Sequence, residues 1–164
     1  MSSADKNLSD HSQNSGNLSG INRKVAIVVA DWNKEITEFL YEGAKNTLLE
    51  HGVKAEDIRT IRVPGTYELP QAAAIALSPK ASIEVDAVIC IGCVIKGETS
   101  HNEYINQSVA HALQTLALQH LKPCIFGVLT PNNYQQALDR AGGKHGNKGA
   151  EAGITALQMM NIAY

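Results

Sequence analysis

The sequence predicts an α/β fold in which a parallel sheet is covered by helices on both faces. Three observations support this prediction. Short apolar runs alternate with segments of helical periodicity from Lys24 onward. The first of these runs is apolar throughout, as in a strand that is buried on both faces. The segments between them are long enough for the right-handed helical crossovers that parallel strands require.

The first half of the chain supplies two of the predicted strands. Residues 24–30 form the first apolar run, and Asn33 is a candidate N-cap for the helix after it. Apolar residues then recur at helical spacing until Gly52 provides a stop. A second strand is predicted over residues 58–63, and a short helix follows over residues 69–77.

The second half of the chain repeats the alternation. Strands are predicted over 87–95 and 124–129, and helices over 103–120, over 133–140 and, after a glycine-rich loop, from about 149 to the end. Four strands connected in this way predict the flavodoxin-like sheet order 2-1-3-4 within a three-layer α/β/α sandwich.

Length and composition limit the protein's class. The chain has 164 residues, and we assign residues 21–164 to one domain and the Ser- and Asn-rich residues 1–20 to a disordered tail. The tail has no apolar stretch, so we expect no secretory signal, and no run in the chain approaches the roughly 18 apolar residues of a membrane span. Lys plus Arg number 14 and Asp plus Glu 16, a balance that argues against a nucleic-acid binder.

The three cysteines indicate reduced thiols in a cytoplasmic protein. Cys90, Cys93 and Cys124 all lie within apolar runs, and their number is odd. Cys90 and Cys93 form a single CxxC, but residues three apart on a strand point to opposite faces. We therefore expect small buried side chains here, and neither a redox pair nor a zinc site.

Unusual residues gather at the predicted strand exits, where parallel α/β sheets bind their ligands. The only Trp, Trp32, follows the first strand, and Glu68 lies in a Pro- and Gly-containing turn after the second. His101 comes after the third strand, and Phe126 lies on the fourth. A flat aromatic, a carboxylate and an imidazole on one edge indicate a ligand site. Core packing is a strong alternative explanation for Phe126.

The segment between the third strand and its helix has the properties of an anion site. Residues 97–101 contain a glycine, two hydroxyl side chains and His101, and they lead into a helix N-terminus. Free N–H groups and the helix dipole attract phosphate there, although an ordinary Ser/Thr N-cap explains the residues equally well. An imidazole beside a phosphate is placed to transfer protons; a structural or exposed histidine is the alternative.

Glu68 and the glycine-rich loop each have two explanations. The Glu68 carboxylate is suited to accept hydrogen bonds from sugar hydroxyls, or to complement the dipole of the helix it begins. Residues 140–149 combine Arg140 and two lysines with four glycines, which is typical of an anion-binding loop or of a solvated connection. Neither a P-loop nor a G-x-G-x-x-G signature is present, and this weakens the interpretation of the chain as a nucleotide-binding protein of either type.

With these residues assembled, the sequence resembles the lumazine synthases from about Ile21 to Ala163. The matching blocks are Trp32-Asn33, residues 64–70 (PGTYELP), residues 92–101 (GCVIKGETSH) with Glu103-Tyr104, residues 126–130 (FGVLT) and residues 140–149 (RAGGKHGNKG). Five blocks in the same order with compatible spacing make the resemblance specific.

The resemblance implies a reaction without metal or redox cofactor. The amine of 5-amino-6-(D-ribitylamino)uracil attacks the ketone of 3,4-dihydroxy-2-butanone 4-phosphate, and a Schiff base forms. Phosphate leaves, and ring closure with loss of water gives 6,7-dimethyl-8-ribityllumazine, the precursor of riboflavin. Holding two substrates in register accounts for much of such a rate, so the enzyme needs little more than a proton shuttle and a charge clamp.

The resemblance also implies a role for each matching position. On the pyrimidine side, Trp32 stacks on the ring, a turn holds the ribityl chain, and a strand end lines the pocket through its backbone. The turn consists of Thr66, Tyr67 and Glu68, and the strand end of Cys93, Val94 and Ile95. On the phosphate side, the N–H groups of Glu98 and Thr99 hold the phosphate, and His101 transfers protons.

The remaining roles involve the neighbouring subunit. The resemblance assigns Phe126 and Arg140 to a site shared across a subunit boundary, with Arg140 and Lys148 at the phosphate. It implies a homo-oligomer of pentamers and suggests riboflavin synthase as a partner. Glu98 stands where the family commonly has a small residue, so we expect its carboxylate to face solvent. Lys96 stands where Arg is common.

Two alternative functions use the same features. A flavodoxin-like flavin-binding module would use the aromatic edge but would not need His101 together with Arg140. A self-assembling shell without catalysis is the other alternative, and the intact site motifs argue against it.

Overall fold

The computed structural model describes residues 18–81 and 84–162. Its main sheet is parallel, with the strand order β2-β1-β3-β4, which confirms the predicted 2-1-3-4 order. The strands are β1 (Val25–Ala30), β2 (Ile58–Val63), β3 (Ala87–Cys93) and β4 (Cys124–Leu129). The helices are α1 (Lys34–Glu50), α2 (Leu69–Leu77), α3 (His101–His120), α4 (Tyr134–Arg140) and α5 (Lys148–Met160).

Two apolar clusters pack on opposite faces of the sheet, as a three-layer sandwich requires. Leu40 of α1 and Leu157 of α5 belong to the cluster on one face. Leu69 of α2 and Leu113 of α3 belong to the cluster on the other face. Every residue of β1 and β3 is buried, because helices cover both faces of these central strands.

The cysteines of the CxxC lie on opposite faces of β3, as predicted. Cys93 belongs to the α1/α5 cluster and Cys90 to the α2/α3 cluster, and both thiols are free. Burial raises the pKa of Cys93 to about 12 and the pKa of Cys90 well above its ordinary value. Neither side chain therefore forms a thiolate near neutral pH, which fits a packing role.

Glycine permits the close contact between α1 and α5. A Cβ at Gly149 would lie 1.7 Å from the carbonyl oxygen of Leu40, and one at Gly153 would lie 2.9 Å from Thr47. This contact seats the first turn of α5, and with it Lys148, against the middle of α1.

The structure corrects four local predictions. Asn33 occupies the N-cap position of α1 without a side-chain capping bond, because its amide donates to the Cys93 carbonyl oxygen at 2.9 Å. β3 ends at Cys93, two residues early, and α3 begins at His101, two residues early. The glycine-rich segment is a small hairpin, formed by β5 (Ala141–Gly143) and β6 (Gly146–Asn147).

The predicted tail falls mainly on residues 1–17, which lie outside the described residues. Residues 18–20 are described and lie against the domain. Leu18 packs on the α1/α5 cluster, and Gly20 is buried with its N–H donating to the His51 carbonyl at 2.8 Å. Within the described ranges, no helix is both long enough and apolar enough to cross a membrane.

Candidate active site

A cleft of about 590 Å³ opens at the carboxyl ends of β1, β2 and β3 and at the start of α3. It contains nine of the thirteen residues that the sequence proposes for the site. Those nine are Trp32, Thr66, Tyr67, Glu68, Cys93, Val94, Ile95, Thr99 and His101. The predicted convergence on one edge of the sheet is therefore present in a single chain.

Backbone hydrogen bonds hold Trp32 at the mouth of this cleft. The N–H of Asp31 donates to the Val63 carbonyl at 2.8 Å, and that of Trp32 donates to the Pro64 carbonyl at 3.1 Å. These bonds prolong the β1–β2 pairing by two residues past the strand. The indole is 70% exposed, so its ring is available to stack on a flat ligand.

The turn after β2 is a 3₁₀ turn, Thr66–Glu68, that packs directly on β3. Thr66 is buried, and its hydroxyl oxygen has no hydrogen-bond partner in the structure. A Cβ at Gly92 would lie 2.7 Å from that hydroxyl, so glycine on β3 makes the close approach possible. Glu68 is half-buried and Tyr67 is exposed, so the turn offers the cleft a hydroxyl and a carboxylate.

Part of the backbone of residues 93–95, at the end of β3, is already hydrogen-bonded within the chain. The Cys93 carbonyl accepts from the Asn33 amide, and the Val94 N–H donates to the Leu129 carbonyl at 2.9 Å. Hydrogen bonds from this segment to a ligand would fall to the backbone groups that remain, including those of Ile95. Asn33 thereby ties the β1 exit to the β3 exit.

The first turn of α3 closes the other side of the cleft. His101 is the first residue of α3 and is exposed, and no side chain caps this helix N-terminus. The Ser/Thr N-cap explanation is therefore not supported by the geometry. Gly97 lines the cleft with no atom within 4 Å of a Cβ placed there, which leaves room for a ligand. The uncapped N–H groups and the helix dipole favour an anion at this position.

Glu98 does not share this cleft. Its side chain is exposed, and it is not among the cleft's lining residues. Lys96 is also exposed, and its N–H donates to the Pro131 carbonyl at 2.9 Å.

The other three proposed residues lie elsewhere on the chain. Phe126 and Lys148 line a second cleft, of about 470 Å³, between α3, the edge strand β4 and α5. Arg140 is joined to this group through Glu151, whose carboxylate lies 2.7 Å from the guanidinium. None of the three lines the first cleft. One chain therefore carries two separate groups of site residues.

Sequence reasoning missed three residues that belong to these groups. Asn102 and Ile105 line the first cleft, and the Asn102 side-chain oxygen is buried without a partner. The spacing of Ile105, four residues after His101, was a usable signal, since residues three and four apart share a helix face. Asn102 is adjacent to His101, and its spacing gave no such signal. Glu151 lines the second cleft and bonds both proposed phosphate ligands. Its position three residues after Lys148 was the corresponding signal.

The described residues hold no group of three His, Cys, Asp or Glu side chains arranged for a metal ion. The first cleft offers an imidazole, hydroxyls, a carboxylate and backbone amides.

Comparison with known proteins identifies one family, whose match extends over all strands and helices of the fold. The family model for 6,7-dimethyl-8-ribityllumazine synthase matches residues 22–163. An enzyme of that name from Cytophaga hutchinsonii is 55% identical over 160 residues, which is 98% of each chain. Those from Porphyromonas gingivalis and Parabacteroides distasonis are 49% and 48% identical, over 99% of this chain and 98% and 99% of theirs. Because the match includes every strand exit that lines the cleft, this chain belongs to the 6,7-dimethyl-8-ribityllumazine synthase family.

Proposed function

We propose that the protein condenses 5-amino-6-(D-ribitylamino)uracil with 3,4-dihydroxy-2-butanone 4-phosphate to give 6,7-dimethyl-8-ribityllumazine, phosphate and water, one water leaving on Schiff-base formation and another on ring closure. The observation that carries the proposal is the first cleft, which combines an exposed indole, a half-buried carboxylate and an exposed histidine at an uncapped helix N-terminus. The relatives that match nearly the whole chain are synthases of this product by name, which agrees with the proposal.

The pyrimidine fits the part of the cleft formed by β1 and β2. Trp32 stacks on the ring, and the ribityl chain lies along the turn after β2, where the Glu68 carboxylate and the Thr66 hydroxyl meet its hydroxyls. The unpartnered Thr66 oxygen supports this placement, because a buried polar atom left without a hydrogen bond costs about 1–3 kcal/mol that a ligand donor would relieve. The backbone near Val94 and Ile95 contacts the ring edge.

The sugar phosphate fits the part formed by the start of α3. Its phosphate lies at the N–H groups of Glu98 and Thr99, and its ketone faces the amine of the pyrimidine. His101 transfers protons during Schiff-base formation and phosphate departure. The Glu98 side chain stays in solvent, so its charge does not oppose the phosphate.

We propose that a neighbouring subunit completes this site with Phe126, Arg140 and Lys148. The separation of these residues from the first cleft within one chain supports the proposal. The active unit is then a homo-oligomer built of pentamers in which each boundary joins one chain's first cleft to the next chain's second group. We place the enzyme in the cytoplasm, with reduced thiols, no cofactor and riboflavin synthase as the protein that uses its product.

A turnover assay with both purified substrates tests the proposal. We expect equal rates of lumazine formation and phosphate release, and no product when either substrate is omitted. Phosphate release without lumazine would contradict the condensation. Purified protein that is yellow and holds flavin stoichiometrically, with no turnover, would instead support the flavin-binding module.

A further inference from the structure

Glu151 connects the two cations of the second group. Its side chain is 9% exposed, and each carboxylate oxygen contacts one of them. Oε1 lies 2.7 Å from a terminal guanidinium nitrogen of Arg140, and Oε2 lies 3.4 Å from the Lys148 ammonium. A carboxylate this deeply buried is stable only when it is paired, and its contact with Arg140 joins the start of α5 to the end of α4.

These contacts restrain Arg140 without using all its donors. A second guanidinium nitrogen of Arg140 donates to the His145 carbonyl in the hairpin. A guanidinium carries five N–H groups and an ammonium three, and the contacts with Glu151 and His145 engage only some of them. Both side chains thus have fixed positions and retain donors for an anion. Arg140 and Lys148 are 19% and 27% exposed, so both side chains reach solvent, and Lys148 lines the second cleft.

We propose that Glu151 is a positioning residue that holds Arg140 and Lys148 as one preformed pair for the substrate phosphate. This inference rests on the proposed function. Without the carboxylate, the two like charges repel each other, and both long side chains regain rotamer freedom that phosphate binding must remove. Two cations and one anion also leave a single net positive charge, which attracts phosphate while the pair keeps its geometry.

The substitution Glu151→Gln tests the inference, because it removes the charge and keeps the size. We expect the KM for the butanone phosphate to rise about tenfold, while the KM for the pyrimidine stays within about twofold. Inhibition by inorganic phosphate should weaken in parallel with the butanone phosphate KM. Glu56→Gln, at an exposed glutamate outside both clefts, is the matched control and should leave both constants unchanged.

Glu151→Asp keeps the charge on a shorter side chain and should recover part of the loss. If Glu151→Gln does not fold or assemble, the same measurements are made on Glu151→Asp. A rise in KM confined to the butanone phosphate then supports the positioning role. Tighter inhibition by inorganic phosphate in Glu151→Gln would overturn the proposal, since Glu151 would then compete with phosphate. Equal increases in both KM values, with a lower Tm, would show a structural role only. Absence of turnover in the unsubstituted enzyme would contradict the proposed function instead.

Discussion

His101 illustrates how a single residue can be available for chemistry without being strained or buried. It begins α3, is exposed, and faces a cleft in which Trp32 and the turn after β2 provide the other walls. No side chain caps the N-terminus of α3. In the proposed function, orientation of the two substrates supplies much of the rate and His101 adds proton transfer.

We predict that His101→Ala slows turnover without abolishing it. General acid–base catalysis typically contributes about 10²–10⁴-fold, so kcat should fall within that range while both KM values change little. Steady-state kinetics on the assembled variant measure this. His111→Ala, at an exposed position on the same helix, is the control. An unchanged kcat for His101→Ala would remove His101 from the mechanism.

At the scale of elements, the contact between α1 and α5 determines where the second group of site residues lies. The first turn of α5 carries Lys148 and Glu151, and Gly149 lies between them against the backbone of Leu40. Asn147 fixes the same turn by accepting hydrogen bonds from the N–H groups of Gly149 and Ala150 at 2.8 and 3.1 Å. A larger side chain at Gly149 would therefore affect both the stability of the fold and the positions of Lys148 and Glu151.

We predict that Gly149→Ala destabilises the fold by about 1–3 kcal/mol or more, the usual range for overpacking a tight contact. The added Cβ would lie 1.7 Å from the Leu40 carbonyl oxygen, so the helices must separate. Urea unfolding measures the free energy. Gly97→Ala is the control for stability, because its Cβ meets no atom within 4 Å. Equal stability of the two variants would show that α5 shifts freely on α1.

Consecutive apolar residues make β1 and β4 predictable to within about a residue. The same signal continues through Val94 and Ile95, which is why the end of β3 was predicted too late. β2 carries polar residues between its apolar ones and is only partly buried, and Pro64-Gly65 marks its end. Asn33 was predicted as a cap because the sequence around it does not show its actual partner. That partner is the carbonyl of Cys93, which only the folded structure brings close. Most of the first cleft was predictable because parallel strands end on one edge. The spacing of Glu151 to Lys148 was visible in the sequence, but its pairing with Arg140 depends on tertiary packing and was not.

At the scale of the whole molecule, residues 18–20 attach the N-terminal segment to the domain. Leu18 and Gly20 contact the domain, and the Ser19 carbonyl accepts from the Asn161 amide at 2.9 Å. Residues 1–17 have a composition that offers little surface to bury.

We predict that deletion of residues 1–17 leaves the active assembly and its Tm unchanged, whereas deletion of residues 1–20 lowers the Tm. The second deletion removes the Gly20 and Ser19 hydrogen bonds and the packing of Leu18. Thermal unfolding and size-exclusion chromatography compare the two. A monomer after the shorter deletion would mean that residues 1–17 support assembly.

In the proposed function, the active site is shared between subunits, with His101 from one chain and Arg140 from the next. The most direct measurement mixes His101→Ala chains with Arg140→Ala chains, dissociates and reassembles them, and compares activity with each variant alone. In a ring with head-to-tail interfaces, about a quarter of the boundaries in an equal mixture would contain both native residues. We predict that activity rises well above that of either variant, toward about a quarter of the unsubstituted enzyme. If the chains demonstrably exchange and activity stays at the level of the separate variants, the shared-site account is contradicted.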